Sequence, residues 1–130
     1  MALLESGENY LEAILMISEK QQDVHAIDIV NVLNFSKPSV SIMLKKLKDE
    51  NYIDIDEHSH ITLTKAGLEI ANKIYERHKI LTQLLLDLGV SEEIAEDDAC
   101  KIEHDLSIET FDAIKKARIN LHEKITKGQE

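Results

Sequence analysis

The apolar period of this chain changes twice, and that alternation limits the folds open to it. Between Pro38 and Glu50, Val40, Met43, Leu44 and Leu47 recur at helical spacing. After Asn51 the period falls to two. Ile53 and Ile55 alternate with Asp54 and Asp56, and Ile61 and Leu63 alternate with His60 and Thr62. Glu57-His58-Ser59 lies between the two runs, so the segment reads as a β-hairpin. Helical spacing then returns with Ala71, Ile74, Leu81, Leu85 and Leu88.

The remaining elements follow from caps and turn residues. Ser6 to about Glu19 reads as a helix with Leu11, Ile14, Leu15 and Ser18 on one side, and Gln21–Asp23 as a loop. Ala26 to Leu33 is a short helix, and Asn34-Phe35-Ser36 a tight turn. Pro38 suits the first turn of a third helix, where a missing N–H costs nothing. Thr64 is a good N-cap for a long helix to about Leu88, stopped by Gly89. Ser91 is expected to cap the next helix, with Glu92 and Glu93 in its first turn. Asp105-Leu106-Ser107 is a break, and Ser107 caps a last helix carrying Phe111, Ile114 and Leu121, expected to fray beyond about Lys124. The expected fold is mainly α: a winged helix-turn-helix of three helices plus a hairpin wing over residues 1–65, then a helical domain over residues 66–130. A three-helix bundle with an incidental hairpin is the alternative.

Composition bounds the function. With 43% hydrophobic and 4% aromatic residues, the chain folds around Leu, Ile and Val. A single cysteine, Cys100, excludes an internal disulfide and suits a reducing cytosol. There is no membrane-length apolar run and no signal-peptide pattern, so a cytoplasmic protein without membrane partners is expected. The net charge of −10 argues against a surface that grips nucleic acid everywhere. Between Ser36 and Lys48, however, stand Lys37, Lys45, Lys46 and Lys48 and no acid. Such a stripe suits local phosphate contact or a solvated helix face, and charge alone favours the latter.

The face of the third helix opposite its apolar stripe carries Pro38, Ser41, Ile42 and Lys45, flanked by Ser39 and Lys46, with Ser36 and Lys37 at its start. Hydroxyls there can approach base edges or phosphates, and Ile42 can meet a thymine methyl. The lysines would hold backbone phosphates. The wing tip, Glu57-His58-Ser59-His60, offers little to phosphates near neutral pH. So few contacts per subunit imply a homodimer on a two-fold site in double-stranded operator DNA.

The second half carries Cys100-Lys101-Ile102-Glu103-His104. On a helix, Cys100, Glu103 and His104 project from one face, which Glu96 extends, beside an apolar stripe of Ala95, Ala99, Ile102 and Leu106. His78 falls on the apolar row of the long helix, where a histidine is commonly a hydrogen-bonded core residue and can also be a ligand. The first helix offers Glu12, with Asn9 and Glu8 beside it, each by default a solvated residue. Thiolate, imidazole and carboxylate together would suit Fe(II), Mn(II), Co(II), Ni(II) or Zn(II). Fe(II) is favoured because Cys100 is a soft donor, with Mn(II) second because Asn9 and Glu12 add hard oxygens. A metal-independent winged-helix regulator is the first competing class. An enzyme is the second, but a lone cysteine without a glycine-rich loop or nucleophile elbow is a weak signature.

Four stretches resemble the diphtheria toxin repressor and manganese transport regulator family: Glu8-Asn9-Tyr10-Leu11-Glu12, Ser36-Lys37-Pro38-Ser39-Val40-Ser41, Arg77-His78, and Asp98 to Ser107 containing Ala-Cys-x-x-Glu-His. The resemblance implies a winged helix, a helical metal-binding and dimerisation domain, and operator binding switched on by metal. It puts Glu12, His78, Cys100, Glu103 and His104 on ligand positions and Glu96 on an ancillary one. Asn9 stands where the iron branch has Met and the manganese branch Asp, and Thr82 where the iron branch has an ancillary Glu. The family's optional C-terminal SH3-like domain has no counterpart here.

Overall fold

The computed structural model describes residues 5–128, with side chains over residues 6–119. In order these are α1 (Glu5–Lys20), α2 (Ala26–Leu33), α3 (Lys37–Asp49), β1 (Ile53–Ile55), β2 (Ile61–Leu63), α4 (Lys65–Asp87), α5 (Glu92–Ile102) and α6 (Ile108–Gly128). The chain divides into two compact units, Met1–Tyr75 and Glu76–Glu130, and the division falls within α4.

In the first unit, local chemistry sets each boundary. α2 ends where Asn34 takes a left-handed conformation (φ 59°) and its N–H bonds to the Val30 carbonyl. Two residues later Ser36 starts α3: its Oγ accepts the Ser39 N–H at 3.2 Å, and Pro38 occupies the first turn. Asn51 (φ 71°) turns the chain from α3 into β1. The hairpin is antiparallel and pairs Ile53 with Leu63 and Ile55 with Ile61. Its tip is held by Asp56, whose Oδ1 accepts the N–H groups of His58 (2.8 Å) and His60 (2.9 Å). Those N–H groups, His60 first, hold the Asp56 carboxyl below its ordinary range.

The base of the wing is anchored by the Ile61 N–H, which donates to the Val24 carbonyl at 2.8 Å. Leu11 and Ile14 of α1, Ile29 of α2, Val40 and Leu47 of α3, and Ile53 of β1 form a single core. Each such side chain contributes about 1.5–3 kcal/mol through burial. The alternation read from the sequence therefore yields a winged helix-turn-helix. Thr64 caps α4 as expected: its Oγ1 accepts the Gly67 N–H (3.1 Å) and donates to the Asn51 carbonyl (2.8 Å).

In the second unit α4 ends in a Schellman motif. Gly89 has φ 95°, its N–H bonds to the Leu86 carbonyl, and the Val90 N–H bonds to the Leu85 carbonyl. Ser107 caps α6 through the Thr110 N–H at 3.0 Å. Phe111 is buried and Ile114 half-buried, whereas Leu121 lies outside the residues whose side chains are described. Several expectations need correction. Ser91 occupies the N-cap position of α5, but its hydroxyl makes no capping bond. α6 is helical to Gly128. Leu88 is 72% exposed because α4 ends one residue before it and the chain turns away at Gly89, and Ile102, the last residue of α5, is also exposed. Among the described residues no helix is long and apolar enough to cross a membrane.

Candidate metal centre and DNA-reading face

Cys100, Glu103 and His104 do not lie on one uninterrupted helix. α5 ends at Ile102, and Glu103 is its C-cap, because the break at Asp105-Leu106-Ser107 stops the hydrogen-bond ladder. Glu103 keeps helical dihedrals (φ −56°, ψ −28°) and its N–H still bonds to the Ala99 carbonyl at 3.0 Å. The i, i+3 relation to Cys100 thus survives, and the Asp105 N–H closes a tighter turn on the Ile102 carbonyl. It is this C-terminal turn that presents Glu103 and His104.

Glu103 is fully buried, and an imidazole stands at each of its carboxylate oxygens. His78 Nδ1 is 2.9 Å from Oε2, and His104 Nε2 is 3.3 Å from Oε1. The His104 side chain is 1% exposed and that of His78 17%. A carboxylate out of water is costly unless paired, and here the pairing groups are themselves good ligands. Two donors bound to one transition metal at about 2.1 Å stand about 3–3.5 Å apart. Each imidazole nitrogen thus stands from the Glu103 oxygen it faces at about the spacing of two donors on one cation, and the chemistry of the three side chains suits a divalent metal.

Around this cluster three consecutive residues of α4, all within the second unit, make contacts to the rest of that unit. Glu76 pairs with Lys115, whose ammonium it holds above its ordinary range through their hydrogen bond. Arg77 Nη1 donates to the carbonyls of Glu103 (3.1 Å) and Leu106 (3.2 Å), and its guanidinium lies 5.2 Å from the centre of the Phe111 ring. Arg77 was legible only as half of the Arg77-His78 pair, without a role.

The other expected ligands are placed as follows. Cys100 and Glu96 lie on exposed positions of α5. Glu12, on α1 in the first unit, is buried, and Asn9 is half-buried. In the same unit the Tyr75 hydroxyl is pushed above its ordinary range, first by burial, then by its hydrogen bond to Glu19 and the negative charges of Glu19 and Glu12. Thr82 on α4 has a buried hydroxyl without a hydrogen-bond partner among the described residues.

On α3 the burial splits as the sequence requires. Val40, Leu44 and Leu47 are buried, while Ser36, Lys37, Pro38, Ser39, Ser41, Ile42, Lys45 and Lys46 are all exposed. Ile42 is 72% exposed. One feature escaped the sequence reading: a groove of about 660 Å³ whose lining includes Tyr10, Phe35, Ile42 and Met43, with Ser36, Ser39 and Lys46 among its polar residues. Phe35 is 45% exposed and its ring lies 6.0 Å from that of Tyr10. An aromatic residue in the turn before α3 was its only sequence signal.

Two family models account for nearly the whole chain. Residues 2–61 match the N-terminal DNA-binding domain of the iron-dependent repressors, and residues 64–124 match their metal-binding and dimerisation domain. The chain belongs to the iron-dependent repressor family. It is a metal-dependent transcriptional regulator, as its motifs implied. It is 37% identical over 113 residues to an uncharacterized HTH-type transcriptional regulator of Methanocaldococcus jannaschii, covering 85% of this chain and 90% of that protein. It is also 35% identical over 109 residues to the HTH-type transcriptional regulator MntR of Bacillus pumilus, covering 84% of this chain and 76% of that one. Among solved structures it resembles a manganese-dependent transcriptional repressor in complex with manganese, with a TM-score of 0.78 and 26% identity over 85% of this chain. It spans about half the length of that structure, 51%.

Proposed function

We propose that this chain binds operator DNA as a homodimer when Fe(II) is bound and represses genes of metal homeostasis. The observation that carries the reading is the buried Glu103 carboxylate flanked by two imidazoles, on a chain whose other unit exposes a reading helix. The proposed ligand set is Glu12, His78, Cys100, Glu103 and His104, with Glu96 and Asn9 ancillary. The functional division we favour assigns residues 1–65 to reading DNA and residues 66–130 to sensing and pairing. Homodimerisation is supported by the match of residues 64–124 to a metal-binding and dimerisation domain, in which Leu88, Ile94, Ile108 and Ile119 are exposed.

When bound, the metal would supply a cross-link between Glu12 on α1 and the ligands of the second unit. Everything else rests on the chain's own residues. Glu103 gathers two imidazoles in a site with little water, and Ser39, Ser41 and Ile42 face outward to meet bases while Lys45 and Lys46 meet phosphates. The switching free energy is the difference in metal affinity between DNA-competent and incompetent arrangements, not the total affinity. Glu12→Ala is therefore expected to separate metal binding from DNA binding, leaving operator affinity nearly independent of metal. Operator titrations with and without metal measure this, and full metal dependence in Glu12→Ala would refute the linkage.

Mn(II) is the second reading, favoured by the manganese-dependent repressor that the chain resembles and by the MntR relative. The residue expected to discriminate is Cys100, since thiolate prefers Fe(II), Co(II) or Zn(II) to Mn(II). Cys100→Glu should raise the response to Mn(II) relative to Fe(II). An unchanged ranking would mean the thiol does not set the preference. The overall test is anaerobic fluorescence anisotropy with DNA from upstream of metal-transport genes, in Fe(II), Mn(II), Zn(II) or chelator. Binding that ignores chelator would remove the switch.

A further inference from the structure

We propose that Arg77 is the positioning residue of the metal centre, holding the turn that presents Glu103 and His104. The proposal rests on the metal-centre reading above. Both proposed ligands lie beyond Ile102, the last residue of α5: the Glu103 N–H makes a last helical bond to Ala99, and past it the ladder gives way to the tighter Ile102–Asp105 turn. The carbonyl oxygens of Glu103 and Leu106 open and close the segment that follows. Arg77 Nη1 donates to both, at 3.1 and 3.2 Å, so one planar donor closes the whole turn.

The guanidinium is itself oriented. It lies over Phe111, which is 6% exposed, at 5.2 Å from the ring centre. Its neighbour Glu76 is engaged by Lys115. The next residue, His78, holds the Glu103 side chain through Oε2 at 2.9 Å. Glu103 is thus gripped twice from one turn of α4, at its main chain by Arg77 and at its carboxylate by His78. A ligand held in one rotamer on a fixed backbone loses little freedom when a cation binds, and partners of this kind typically set metal affinity by about 10–100-fold.

A fixed positive charge near a cation site opposes binding, so removing it would tighten binding if charge outweighed geometry. The probe is Co(II), titrated anaerobically into the full chain and read by calorimetry and by its visible d–d absorption. Arg77→Met should weaken Co(II) binding by about 10–100-fold and alter the band shape or intensity, with circular dichroism unchanged. Arg77→Lys, which keeps the charge and some donors, should recover part of the loss. Phe111→Leu, which frees the guanidinium but leaves its donors, should show a smaller loss and serves if Arg77→Met does not fold.

Unchanged or tighter binding with a wild-type spectrum in these variants would overturn the proposal, even if their melting temperatures fell. Failure of the wild-type chain itself to bind Co(II) would instead remove the metal-centre reading, and this one with it.

Discussion

Replacing Glu103 with glutamine should abolish metal-induced stabilisation while leaving the metal-free fold close to wild type. Glutamine keeps the volume of a fully buried side chain, and its amide can still hydrogen-bond to His78. What it loses is the negative charge, which a divalent cation between two imidazoles needs most. Linkage makes the effect large and measurable. Metal supplied at one hundred times its dissociation constant should stabilise the wild-type chain by about 2.7 kcal/mol. A hundredfold loss of affinity leaves about 0.4 kcal/mol at the same concentration. Thermal melts with and without metal would show the difference directly. A wild-type metal shift in Glu103→Gln would remove Glu103 from the ligand set. A collapsed metal-free fold would show that its carboxylate is mainly structural.

The second large effect concerns the hinge between wing and long helix. Gly67→Ala should destabilise the chain by about 3 kcal/mol, the upper part of the range for overpacking. An added Cβ would lie 2.0 Å from the Tyr52 carbonyl oxygen and 3.0 Å from its carbon. That carbonyl cannot retreat freely, because it accepts the Thr64 N–H at 3.1 Å, and Thr64 in turn caps α4 at Gly67. Two effects compete. In an open helix alanine gains about 1 kcal/mol over glycine. Here contact with main-chain atoms outweighs that gain. The melting temperature should fall by roughly 10 °C for a chain of this size. An unchanged or higher melting temperature would mean that the strand–helix junction yields easily. Gly89→Ala tests the other use of glycine: its Cβ would meet nothing within 4 Å, so any loss there comes from the positive φ alone.

The elements of this fold were legible because their causes are local. Ser36 and Pro38 start α3, Thr64 starts α4, and Gly89 closes it through bonds spanning no more than five residues. Period alone placed Ile53, Ile55, Ile61 and Leu63 in two strands and turned Val40, Leu44 and Leu47 inward. With that stripe fixed, the outward direction of Ser41, Ile42 and Lys45 follows from helix geometry. Family membership was legible too, since Ala-Cys-x-x-Glu-His and its companions form a compact set of side-chain chemistries.

Other features depended on groups distant in sequence. The clash that reserves position 67 for glycine involves the Tyr52 carbonyl, and no pattern around Gly67 announces it. The apolar row ending at Leu88 looked continuous, yet Leu88 passes the end of α4 into solvent. Phe35 read as a turn residue until packing put it beside Tyr10 in a groove on the reading face. Spacing put Glu103 and His104 on a helix face, whereas the tertiary structure ends that helix at Ile102 and hands the turn to Arg77 and His78. The sequence by itself determined which residues form helices and strands and which chemistries they carry, because caps, turns and periodicity act over a few residues. The tertiary structure alone decided which main-chain carbonyls, rings and imidazoles meet, because those contacts join segments that no local period couples.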